Sequence, residues 1–147
     1  MSNQPIFPLP PPDIDLTYLL RSDLLLDFEY LSNTDLRLTF GCTVWVHQHP
    51  PPKIDYSFGL HPVCEALSTE ECSIELPKLT FEMRHQQFYD AANNLIGGES
   101  HFQLFKVFQH IESNHLSPAQ RARKTNLKGH RGTFPCRRLP LSELLAE

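Results

Sequence analysis

Residues Asp35 to His49 read DLRLTFGCTVWVHQH, and their alternation decides the class of fold. From Leu36 to Val46 every even position is apolar (Leu36, Leu38, Phe40, Cys42, Val44, Val46), whereas the odd positions carry Asp35, Arg37, Thr39, Gly41, Thr43, Trp45, His47 and His49. A period of two marks a half-buried β-strand, because successive side chains leave opposite faces of the pleated backbone. Burying the even row at roughly 1.5–3 kcal/mol per side chain contributes about 9–18 kcal/mol, an upper bound. The strand is therefore a core element. The same alternation places Trp45 and the two histidines on the solvent side.

Immediately upstream, Leu24, Leu26, Phe28 and Tyr30 alternate with Asp23, Leu25, Asp27 and Glu29, and the turn residues SNTD separate them from the long strand. The two form a hairpin. For both apolar rows to share a face, paired positions must sum to an even number, as Tyr30 with Leu36 and Phe28 with Leu38 do, which requires a loop of odd length. Downstream, Leu79, Phe81 and Met83 alternate with Thr80, Glu82 and Arg84 as a third strand. A second hairpin is expected in QFYDAANNLIGG, residues 87–98, where AANN supplies a turn that tolerates left-handed backbone. Pro50 to Pro52 end the long strand, because three consecutive residues offer no N–H. Between them and Cys72, Ile54, Tyr56 and Phe58 suit a short strand within a loop-rich stretch.

SHFQLFKVFQHIESNH, residues 100–115, has two readings: as a helix, which is favoured, Leu104, Phe108, Ile111 and His115 recur at helical spacing with Phe105 alongside and Ser100 with Gln103 form an S-x-x-Q box; as a strand, Phe102, Leu104 and Phe108 share a face interrupted by Lys106. Ser117-Pro118 starts a second, shorter helix. The expected class is α+β, mainly antiparallel β: a sheet or small sandwich built on two hairpins, with one or two short helices towards the C-terminus. At 147 residues the chain fits one domain, read as residues 14–115, between a proline-rich arm (1–13) and a basic tail (116–147).

Charge separates along that division. Residues 1–115 hold 6 Lys and Arg against 15 Asp and Glu, net -9, while residues 116–147 hold 7 against 2, net +5. A basic tail of this kind binds nucleic acid or docks on an acidic surface. For the first, Arg121, Arg123, Lys124, Lys128, Arg131, Arg137 and Arg138 are the phosphate-binding candidates, opposed by the repulsion of an acidic body. For the second, the apolar residues of the two extensions, together with the outward Trp45, are the candidate protein contacts: Ile6, Phe7 and Leu9 in the arm, and Phe134, Leu139, Leu141 and Leu144 in the tail.

Chemistry is less well signalled. His47 and His49 form an HxH pair on one strand face, and His61 with Cys64 stand at a workable ligand spacing, which defines a candidate zinc site and, with it, a small zinc-dependent enzyme or zinc-stabilised domain. The sequence contains no GxSxG elbow, phosphate loop or HExxH helix, and no cofactor motif. The four cysteines lack CxxC spacing and suit reduced thiols, and no leader or long apolar run is visible, so a soluble, cytoplasmic protein is expected. The combined expectation is a non-catalytic protein-binding or assembly module that associates with a protein partner or with itself, uses no cofactor and does not enter a membrane.

Overall fold

The computed structural model describes residues 14–48, 54–60, 71–134 and 137–145, with the side chains of 144 and 145 excepted. Its centre is an eight-stranded sheet in which every pairing is antiparallel. The strands are β1 (Leu25–Tyr30), β2 (Leu36–Gln48), β3 (Ile54–Gly59), β4 (Glu71–Arg84), β5 (Gln87–Asp90), β6 (Leu95–Ile96), β7 (Arg131–Thr133) and β8 (Arg138–Pro140). The helices are α1 (Leu16–Leu19), α2 (Gly98–His115), α3 (Pro118–Arg123) and α4 (Leu141–Leu145), with a 3₁₀ turn over Ser22–Leu24. The class is the expected one, realised as one sheet.

β2 is the axis. One side pairs with β4 along nearly its whole length; the other is divided, β1 pairing with Leu36–Phe40 and β3 with Thr43–Gln48. The first hairpin has the expected register, Tyr30 opposite Leu36 and Phe28 opposite Leu38, across a five-residue loop in which the Ser32 hydroxyl accepts from the backbone N–H of Thr34 and Asp35. The second hairpin joins β5 to β6 through a turn held by Asp90, whose Oδ1 accepts from the N–H of Ala92 and Asn94. Between β4 and β5 lies a tighter reversal: His85 and Gln86, with φ of 53° and 64°, form a two-residue left-handed turn flanked by the Arg84–Gln87 pair.

α2 covers the face carrying the even row of β2. Its Leu104, Val107, Phe108 and Ile111 are buried with Phe28, Tyr30, Leu36, Leu38, Phe81, Met83 and Phe88 in one core. The helix begins two residues before the expected Ser100 cap: Gly97 is the N-cap and makes no side-chain bond, so the S-x-x-Q box does not form here. α3 does carry one, because Ser117 accepts from the Gln120 N–H while Gln120 Oε1 accepts from the Ser117 N–H; it ends at Lys124, in the left-handed conformation.

The segment expected as a tail supplies two strands. β7 lies against β1, with Gly132 opposite Phe28, and β8 lies against β3, with Arg138 opposite Gly59. Both contacts rely on missing side chains: a Cβ at Gly132 would stand 2.5 Å from the Phe28 ring, and one at Gly59 would stand 1.8 Å from the Arg137 carbonyl oxygen. Phe134 stacks near Phe28 and His115, at centroid distances of 6.1 and 5.2 Å. The tail's positive charge meets the acidic body directly, in Lys124–Glu112, Arg131–Glu29, Arg137–Asp23 and Arg138–Glu71. No described helix is long and apolar enough to cross a membrane.

Candidate functional site

The odd face of β2 is where side chains of chemical interest gather. In an antiparallel ladder, residues directly opposite share a face. His47 is opposite Asp55 of β3 and Glu71 of β4, and Trp45 is opposite Ser57 and Ser73, so His47, Glu71, Trp45 and Ser57 all project to the side away from α2. Gly59 and Pro140 hold β8 close against β3, which brings Arg138 to the same surface.

The polar groups are connected in order. Ser57 Oγ lies 2.8 Å from His47 Nε2, and His47 Nδ1 lies 2.9 Å from Glu71 Oε1. Arg138 directs Nη1 and Nη2 to the two oxygens of the Glu71 carboxylate, each at 3.4 Å, with its guanidinium carbon 5.0 Å from the Trp45 ring centroid. An ionised carboxylate can only accept. In the neutral imidazole the proton therefore sits on Nδ1, donated to Glu71, and Nε2 is left as the acceptor for the Ser57 hydroxyl. The group is largely withdrawn from water: Ser57 is 7% exposed, and the side chains of Glu71, His47 and Arg138 are 12, 22 and 27% exposed. Ser57, His47 and Arg138 line an open groove with Asp55, Leu141 and Ser142.

Trp45 is the clearest departure from the sequence reading. Expected towards solvent, it is fully buried, as is Thr43 on the same row, because the second half of β2 is covered on both faces. It offers no surface to a partner in this fold. Of the other candidate contacts, Phe134, Leu139 and Leu141 are partly buried within the sheet and core margin, while Ile6, Phe7, Leu9 and the Leu144 side chain lie outside the described residues.

Among the candidate metal ligands, His47 is held by Ser57 and Glu71, and His49, His61 and Cys64 lie outside the described residues. Among the described residues no three His, Cys, Asp or Glu side chains form a metal-holding group. Cys42 lies on the core face of β2, and burial pushes its thiol up to about 12. Of the seven basic candidates for nucleic acid, Lys124, Arg131, Arg137 and Arg138 contact carboxylates, while Arg121, Arg123 and Lys128 are exposed on and after α3.

Sequence reasoning missed Ser57 and Glu71. The available signal was parity: Ser57 falls between the apolar Tyr56 and Phe58, and Glu71 directly precedes Cys72, at polar positions of strands whose partner was the long strand carrying His47. No family model, no curated protein and no solved structure matches the chain.

Proposed function

We propose that the chain is a protein-binding or assembly module whose contact surface is the outer side of α2. The observation that carries this reading is a pair of aromatic side chains, Phe102 and Phe105, 54 and 39% exposed on a helix whose opposite side is packed into the core. Three residues apart, they share a side of the helix. Phe105 also opens into a groove with Met83 and Phe108 in its walls and the Glu112–Lys124 ion pair at its rim. Exposed aromatics beside a charged rim are the composition of a protein contact rather than of a solvated helix face. The four ion pairs between the basic segment and the acidic body leave less charge for phosphate, which favours a protein partner over a polyanion.

Light-scattering mass across a concentration series, with absorbance at 260 and 280 nm recorded over the peak, tests this. A mass above the 16.9 kDa of one chain, returning to one chain in a Phe102→Ser/Phe105→Ser double variant, is the expected result. A monomer at every concentration, eluting with nucleic acid that high salt removes, would replace the reading with the basic-segment alternative.

A further inference from the structure

We infer that Ser57, His47 and Glu71 form a nucleophile, base and carboxylate set for acyl transfer, with carboxylic esters as the substrate class. The set lies on the opposite face of the sheet from α2, so this activity stands apart from the contact surface proposed above. Three features point to it together. The hydrogen-bond chain runs unbroken from Oγ through both ring nitrogens to a carboxylate, at 2.8 and 2.9 Å, which is the spacing an activated serine requires. The carboxylate is itself held in place by the two guanidinium nitrogens of Arg138. Finally, Ser57 and His47 line one open groove with Asp55, Arg138 and Leu141, so a substrate has room beside the reacting oxygen. A polar cluster that merely satisfied its own hydrogen bonds would have no need of such a groove.

The chemistry follows from the tautomer. Ser57 Oγ attacks the ester carbonyl carbon and its proton passes to His47 Nε2; the resulting imidazolium keeps its Nδ1–H on Glu71, whose negative charge favours it. The carbonyl electron pair becomes an oxyanion in a groove that Arg138 also lines. Collapse of the tetrahedral species expels the alcohol oxygen, which takes the proton from Nε2 and leaves as alcohol, with the acyl group on Ser57. Water then gives a proton to Nε2 and its oxygen to the acyl carbon; the second collapse returns the proton to Ser57 Oγ and releases the acid. The sum is ester plus water to acid plus alcohol, with no oxidant, reductant or metal. Ser57 and His47 are the catalytic residues, while Glu71 and Arg138 are positioning residues for the imidazole.

The full chain treated with an alkyl fluorophosphonate is the test, since Oγ attack on phosphorus expels fluoride and leaves a stable adduct countable by intact mass. The expected result is one adduct per chain, on the peptide containing Ser57, absent after heat unfolding and absent in Ser57→Ala. His47→Gln should slow labelling at least a hundredfold, following the usual 10²–10⁴ contribution of a general base. Glu71→Gln should slow it about tenfold and Glu71→Asp should recover part of the rate, a rescue that mere loss of packing would not produce. Folded wild-type protein left unmodified, modified elsewhere, or modified at Ser57 at an unchanged rate in His47→Gln would overturn the assignment. The wild-type arms do not depend on any variant folding.

Discussion

Replacing Gly59 by Ala tests how the C-terminal segment is held. The added Cβ would stand 1.8 Å from the Arg137 carbonyl oxygen and 2.8 Å from the Arg138 Cα, both backbone atoms that no side-chain rotation can move aside. Ordinary carbon–oxygen contacts run about 3.3–3.6 Å, so β8 has to retreat by about 1.5 Å or more. That displacement breaks the 2.9 Å bond from the Leu60 N–H to the Arg137 carbonyl and the ladder pairing Phe58 with Leu139. At roughly 0.5–1.5 kcal/mol for each of two or three bonds, plus groups left unsatisfied, the loss is about 2–4 kcal/mol. For a domain of this size, each kcal/mol lowers the melting temperature by roughly 2–4 °C, so a fall of about 5–15 °C is expected. Urea unfolding measures the first quantity and calorimetry the second, and limited trypsin digestion should cut after Arg137 and Arg138 faster than in the wild type. A variant within about 0.5 kcal/mol of wild type, with unchanged cleavage at these arginines, would refute the close packing of β8 on β3. Since Arg138 travels with β8, fluorophosphonate labelling of Ser57 should slow in the same variant.

The left-handed turn at His85 and Gln86 stores an avoidable cost, and His85→Asn/Gln86→Gly should raise stability in urea by about 0.5–1.5 kcal/mol. Deleting Lys78, one of two residues that bulge opposite Gly41, leaves Cys72, Ile74 and Leu76 on the core face, whereas deleting Glu75 turns Cys72 and Ile74 outward; the second deletion should cost roughly 2–4 kcal/mol more than the first in urea unfolding. Cys42, buried with its thiol pushed up to about 12, should resist alkylation at pH 8 until the chain unfolds. Above the ordinary thiol value of about 8.5 the unfolded chain releases a proton that the folded chain keeps, so stability falls as pH rises towards 12; Cys42→Ala should flatten that part of the alkaline decline in the urea midpoint.

The legible parts of the fold are those in which sequence parity and spatial parity coincide. Leu36 to Phe40 and Phe28 to Tyr30 alternate without interruption, and an odd loop admits only one register that buries both rows, so the first hairpin can be read to the residue. β4 is different. Its apolar row runs Cys72, Ile74, Leu76 and then Leu79, Phe81, Met83, changing from even to odd because Pro77 and Lys78 together stand opposite Gly41. A proline without an N–H is at home in such a bulge, yet in the sequence it looks like the end of a strand, and only Leu79 onwards was recognisable. β1 has the same device near Leu26, which is why Leu25 rather than Leu26 is fully buried. β7 and β8, three residues each and containing Gly132 and Pro140, carry too little alternation to be seen at all.

The candidate site was hidden for a related reason, which also explains the charge asymmetry. Its members come from β2, β3, β4 and β8, with Ser57 10 positions after His47 and Arg138 67 positions after Glu71, so no local spacing announces them. What unites them is the division of β2, where β1 ends and β3 begins on the same side. β7 extends the first branch and β8 the second. The ion pairs that accompany the docking of these two strands are Arg131 with Glu29, Arg137 with Asp23 and Arg138 with Glu71. Each exposed pair contributes at most about 1 kcal/mol, so their role is to select where β7 and β8 dock more than to hold the fold. The positive end and negative body of the sequence are therefore two sides of one intramolecular contact, and the innermost of its pairs is the one that fixes the carboxylate behind His47.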